Sequence, residues 1–384
     1  MLTFPFPAGP RGTVPTEFAE LRETDPVAEV ELPDGTRIRL VTRYADVVAV
    51  LTDPRFSRAR AAALPGTGFG RCQSTGVLDL DPPEHAHLRE PLDRALGEDQ
   101  VRAWGPRLTR AVDDAISAFA ALPRPADFVA GFAAPLAART TCELAGFDVS
   151  AAERLAGWVE DVVGGDADAA HTARQELDAA LAELVADRRR SPGDDLASAL
   201  VAPAEPSRGL PDDEAALVVS GLLVSAHIGN RNALSRHAFA LLGTPGSFER
   251  MRADPATAVE ELLRRYPSGN DGLLRVAAED VELSGTRLEA GQLVMPLVAA
   301  ACQDPAVFDA PQHLDLGRRP NPHVSFGAGA HACPGAAFVR ALFTTTFGSL
   351  VAAFPDLRLA VPVDEVVHTA DLLPLGVRSL PVEW

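Results

Sequence analysis

Cys333 lies in "FGAGAHACPGAA" (326–337), after loop glycines at 327 and 329 and before an apolar helical run. Pro334 suits the first position of a helix, where a missing N–H costs nothing. A thiol at such a point faces free backbone donors and the positive end of the helix, and both favour the thiolate. Glycines let the backbone pack closely against something flat or bulky. A Cys so placed can be a nucleophile, a redox thiol or a metal ligand, with a buried structural thiol as the plain alternative. The loop glycines suggest phosphate, but the Walker spacing and its Lys are absent.

A second stretch, "LLVSAHIGNRNALSRH" (222–237), sets His227, Gly229, Asn230, Arg231 and Asn232 in the middle of an apolar helical run. A buried, unpaired guanidinium is costly. Arg231 therefore calls for a carboxylate partner, or else for an anionic or carbonyl-rich substrate. Glu261 and Arg264 in "EELLR" lie one turn apart, where a surface i,i+3 ion pair is the simple reading.

The chain has 384 residues, 47% hydrophobic and 23% charged, enough to bury a sizeable core. The formal charge is −18 and no Lys occurs. That balance argues against nucleic acid or an anionic membrane as partner. Four cysteines far apart make neither a disulfide framework nor a paired CxxC site. The N-terminus lacks a basic region followed by an apolar one. No window of about 18 uncharged apolar residues reads as membrane-spanning. A cytoplasmic protein without membrane attachment is expected.

Residues 27–42 alternate around an Asp-Gly turn and predict a hairpin; 43–56 predicts a short helix and 57–80 a loop. From 81 to about 200 the pattern is helical, with breaks at Pro123, Pro125, Pro135 and Gly164–Gly165. After a linker at 202–214, a buried helix is predicted from Asp212 to Leu242, with acids in its first turn and Gly243 at its end. Residues 254–267 predict a helix, 281–301 a second small sheet, and 326–354 a Gly-rich loop entering a long apolar helix. The expectation is one mostly-α unit over 1–384 with a minor β part.

The string F-G-x-G-x-H-x-C-x-G, here Phe326, Gly327, Gly329, His331, Cys333 and Gly335, resembles the haem-binding loop of the cytochrome P450 family. Glu261 and Arg264 resemble that family's ExxR pair, and Arg318 in "DLGRRPNPH" stands where an Arg completes the pair's buried network. The likeness runs from "YADVVAVLTDPRFSR" to "SLPVEW" and is to the soluble bacterial, actinomycete-like type. It implies haem b between the long central helix and the Cys-loop helix, with Cys333 as axial ligand. It implies that His85, Arg89, Arg275 and His331 hold the haem carboxylates, and that Gly335 N–H tunes the thiolate. Cys302 stands where the family usually has Asn; Cys72, Cys142 and Cys302 read as inert.

By the same resemblance, residues 212–243 cross the distal face of the haem. The family's A-G-x-D/E-T pattern falls on Ser225, Ala226, His227, Ile228 and Gly229. The acid and alcohol that deliver protons during oxygen activation are thus replaced by Ile228 and Gly229. Ser225, on the same helix face as Gly229, is one possible stand-in and Asn230 another; His227 reads as structural. Gly229 also makes room for a bulky substrate. The implied function is oxidation of a small natural product in secondary metabolism, using dioxygen and electrons from an external ferredoxin and ferredoxin reductase. Oxidative coupling or ring formation is the alternative, and a non-catalytic haem-binding protein a second one. The segments expected to meet substrate are 57–80, the helices around 150–190, 268–274 and 372–376.

Overall fold

The computed structural model describes residues 2–64, 76–203, 209–267, 273–369 and 376–384. The N-terminal third contains β1 (Leu2–Thr3), α1 (Glu17–Thr24), β2 (Val27–Glu31), β3 (Arg37–Val41), α2 (Tyr44–Thr52), β4 (Phe56–Ser57), α3 (Arg58–Ala62), α4 (Glu84–Ala95) and α5 (Glu98–Ala120). A helical block follows: β5 (Ala126–Asp127), α6 (Ala134–Ala145), α7 (Ala152–Gly164), α8 (Ala167–Arg190), α9 (Leu196–Val201), α10 (Asp212–Leu242), α11 (Ser247–Ala253) and α12 (Pro255–Arg265). The C-terminal part holds β6 (Arg275–Ala277), β7 (Val281–Leu283), β8 (Thr286–Leu288), β9 (Leu293–Pro296), α13 (Val298–Ala301), α14 (Ala336–Ala353), β10 (Arg358–Leu359), β11 (Val367–His368), β12 (Val377–Ser379) and β13 (Pro381–Glu383).

The largest sheet has the order β1-β2-β3-β9-β6-β4, so strands from both ends of the sequence share it. Every residue of β9 is buried, as an interior strand requires. That burial explains a departure from expectation: only 281–288 forms the separate hairpin, while β9 joins the large sheet. Ser57 of β4 pairs with Val276 of β6, which brings Arg58 close to Arg275.

The predicted loop at 57–80 is partly regular, with β4, α3 and a 3-10 turn at Val77–Asp79. Ser57 Oγ caps α3 by accepting from Arg60 N. Pro135 does not break a helix; it sits in the first turn of α6, where no donor is needed.

α10 begins and ends at the predicted residues and packs against α6, α7, α8 and α9. Its three first-turn acids oppose the positive helix end. α14 is the one described helix long and apolar enough to cross a membrane by length and composition. Here it packs against α5, α11 and α12, with Phe338, Leu342, Phe343 and Phe347 in the core.

Of the segments expected to meet substrate, 65–75, 268–272 and 370–375 lie outside the described residues, as do Cys72 and linker residues 204–208.

Candidate haem site

The Cys333 loop is shaped by left-handed glycines. Gly327 and Gly329 have φ of 73° and 70°. A Cβ on Gly329 would lie 2.6 Å from Leu51 O, so the loop packs directly on the end of α2. Cys333 N donates to Phe326 O at 2.7 Å and closes the turn. The Arg340 guanidinium lies 4.6 Å from the centre of the Phe326 ring and donates through Nε to Glu260 at 2.7 Å. Glu260 also lies 2.9 Å from His323 Nε2. Burial raises the Glu260 carboxyl, but the His323 and Arg340 hydrogen bonds overcome this and bring it down to about 2. The loop is thereby clamped to α12.

Two expectations for the loop need correcting. α14 starts at Ala336 with Gly335 as its N-cap, so Pro334 precedes the first turn. Burial also pushes the Cys333 thiol up; the Gly335 N–H, Arg89 and Arg340 pull it down without prevailing. The helix end alone does not make a thiolate, because desolvation outweighs it. A metal cation on the sulfur would supply what the setting lacks.

The four residues expected to hold the haem carboxylates converge although the sequence scatters them. The His85 and His331 rings are 4.4 Å apart. His85 Nε2 and His331 Nδ1 are buried without a hydrogen-bond partner among the described residues. Arg275 is buried, donates to Leu273 O at 2.9 Å, and forms no ion pair among the described residues. Burial, then the neighbouring Arg58, lowers its pKa to about 10. His331 is lowered to about 3, by burial first and then by His85, Arg275 and Arg58. Arg89 reaches the same corner, donating to Ala330 O at 3.1 Å, but it also pairs with Asp93 at 2.6 Å.

Arg58 is a member of this cluster that the sequence reading missed. It is buried, donates to Leu78 O at 3.0 Å and Asp79 at 2.7 Å, and bonds Leu274 O. In the sequence it is one Arg among several in "PRFSRAR", and only the β4–β6 pairing places it beside Arg275.

Glu261 and Arg264 are fully buried, not a surface pair. Arg264 makes a fork of two bonds, 2.7 and 2.8 Å, to Glu261, and Arg318 adds a third at 3.0 Å. Arg264 also donates to Cys302 O at 2.7 Å and Pro311 O at 3.0 Å. This network fixes the chain leading into the Cys loop.

On α10, a Cβ at Gly229 would meet no atom within 4 Å. Ser225 shares that face and is exposed; its Oγ donates to Gly221 O at 2.8 Å. Asn230 does not share it. Five residues after Ser225, it is turned by about 140° from it; it is buried, and its Nδ2 has no partner among the described residues. Asn230, the other candidate stand-in, therefore lies on a different face of α10 from Ser225 and Gly229. His227 and Arg231 point elsewhere, both to Glu160 on α7: His227 Nε2 at 3.2 Å and Arg231 through Nη1. The His227 hydrogen bond, with Arg231 adding its charge, holds the Glu160 carboxyl below the usual carboxylate range despite burial. Arg231 thus has the carboxylate partner that its charge requires.

Among the described residues, no three His, Cys, Asp or Glu side chains converge as ligands for a metal ion. A lone Cys holds a metal well only when a macrocycle supplies the remaining ligands. A flat group with two carboxylates fits the unpartnered ring nitrogens of His85 and His331 and the Arg275 guanidinium, which lacks a counter-charge among the described residues. The residues present therefore fit haem.

Comparison with known proteins agrees. Residues 256–359 match the Cytochrome P450 family model. Nocardicin C N-oxygenase of Nocardia uniformis subsp. tsuyamanensis is 38% identical over 380 residues, covering 96% of this chain and 94% of its own. Mycinamicin IV hydroxylase/epoxidase of Micromonospora griseorubida is 33% identical over 381 residues, covering 97% and 96%. The LnmA cytochrome P450 hydroxylase from the leinamycin biosynthetic pathway of Streptomyces atroolivaceus S-140 superposes with a TM-score of 0.92 at 37% identity, over 100% of both chains.

The fold and the site define a haem-thiolate oxidoreductase. The chain belongs to the cytochrome P450 family. Its relatives are P450 monooxygenases of natural-product biosynthesis; they take small-molecule substrates and dioxygen and use redox partners.

Proposed function

We propose that residues 1–384 form a single haem-thiolate domain that oxidises a small natural product in secondary metabolism. Cys333 is the axial ligand, Phe326 and Gly335 flank it, and His85, Arg89, Arg275 and His331 hold the haem carboxylates. The observation that carries this reading is the convergence, at the Cys333 loop, of the unpartnered ring nitrogens of His85 and His331 with an Arg275 that has no counter-charge among the described residues. Haem, when bound, supplies the activation of dioxygen.

The distal turn is where this chain departs from its family. Ile228 carries no proton and Gly229 no side chain, so neither can take the family's acid and alcohol roles. Ser225 Oγ already donates to its own helix but keeps lone pairs that accept from a water or a substrate hydroxyl. Proton supply then falls to that water or to the substrate itself. The open space beside Gly229 suits a substrate bulky at the reacting position. Electrons come from an external ferredoxin and ferredoxin reductase, in the cytoplasm.

A second reading, oxidative coupling or ring closure without oxygen insertion, draws on the same replacement of acid and alcohol. Turnover under isotopically labelled dioxygen separates the two. Label in the product supports monooxygenation; product without label, formed at one dioxygen consumed per bond, supports coupling.

A further inference from the structure

We propose that Glu160 is a positioning residue for the oxygen side of the site: from α7 it fastens the turn of α10 that contains Ile228 and Gly229. This rests on reading that turn as the distal one.

One carboxylate oxygen, Oε1, serves both His227 Nε2 at 3.2 Å and Arg231 Nη1. Those residues are four apart, so they stand one above the other on one edge of the helix. The residues between them are Ile228, Gly229 and Asn230. Glu160 therefore brackets the turn that carries the chain's departure from its family. Between Ala215 and Leu242 it is the one acid in an ion pair with α10 among the described residues.

The turn needs such a bracket. Glycine is the residue most ready to leave a helix, and nothing packs where a Gly229 Cβ would be. Yet α10 runs unbroken through this point. The restraint comes from the other side. His227 and Arg231 lie about 160° round the helix from Gly229 on each side of the count, so Glu160 holds the turn without entering the space beside Gly229. It touches neither the reacting position nor the Ser225 hydroxyl.

The bracket also reaches further. Arg231 Nε donates to Asn232 Oδ1 at 3.2 Å. Asn232 Oδ1 would lie 2.8 Å from a Cβ on Gly376. Gly376 in turn closes the base of the C-terminal hairpin, donating to Thr369 Oγ1 at 2.7 Å. Polar contacts thus run from Glu160 on α7 to Asn232, whose side chain packs against Gly376 at the base of that hairpin.

The test uses the haem-loaded protein and the variants Glu160→Gln, Glu160→Ala and Glu160→Asp. Amide hydrogen exchange across 225–233 is expected to rise about tenfold in the Gln and Ala variants, as for loss of a charged hydrogen bond that restrains local opening. Exchange in α5 should stay as in the wild type. The low-spin ferric g values should shift in the same two variants, and Asp should restore both readouts in part. Wild-type exchange at 225–233 in both variants would overturn the proposal. So would an equal rise in α5, which would mark Glu160 as a general stabiliser. Failure of the haem reading shows separately, in the carbon monoxide spectrum of a Cys333 variant.

Discussion

The His85 and His331 rings stand 4.4 Å apart, one from the start of α4 and the other from the Cys loop. Each buries a ring nitrogen that finds no partner among the described residues. Unpaired buried polar atoms are costly, so this pair suits a hydrogen-bonding partner from outside the chain. With Arg275 beside them, an anion fits.

Removing these donors should loosen haem without unfolding the chain. Arg275→Ala and His85→Ala are each expected to speed haem transfer to excess apomyoglobin by about tenfold, as for loss of a supporting contact to a bound metal group. Stopped-flow loss of the Soret absorbance measures it. Unchanged transfer in both variants would remove these residues from the haem's surroundings.

The buried ExxR network should tolerate nothing. Glu261→Gln leaves Arg264 and Arg318 buried without their shared counter-charge. Breaking a buried pair costs about 3–5 kcal/mol. The variant should yield little soluble haem-loaded protein, and its thermal transition should fall well below that of the wild type.

Acid stability should carry a mark from Glu260. Its folded pKa of about 2 lies below the ordinary carboxylate value. A depressed pKa contributes stability above the unfolded value, roughly pH 4.3, and that contribution is lost as the pH falls toward the folded value. Urea midpoints of the wild type should therefore drop between about pH 5 and pH 2. Glu260→Gln should be less stable at neutral pH and should show a shallower decline across that window.

Gly229→Ala should stabilise the protein by about 0.5–1 kcal/mol, because a Cβ meets open space there and Gly is a poor helix former. Gly229→Thr should gain less, since a β-branched side chain is restrained in a helix. Denaturant unfolding of the ferric protein checks both. A loss of stability in the Ala variant would mean that the space is closed.

The span of α10 was readable from acids at its start and Gly243 at its end, and the Cys loop from its glycines. The partner of Arg231 was foreseen only as some carboxylate. Glu160 is distant in sequence, and no local pattern ties α7 to α10. Arg58 was invisible for the same reason, since strand pairing, not spacing, puts it beside Arg275. Asn230 was assigned by adjacency to Gly229, and the turn of about 100° per residue sends it elsewhere. The thiol of Cys333 was read from the helix end, whereas burial, a tertiary property, sets its proton affinity.

We propose Cys333 as the axial ligand of the haem. The carbon monoxide complex of the reduced protein reports on that bond directly. The wild type should show the far-red Soret band of a thiolate-ligated haem, and Cys333→Ser should lose it while still binding haem. A variant that keeps the band would contradict the assignment.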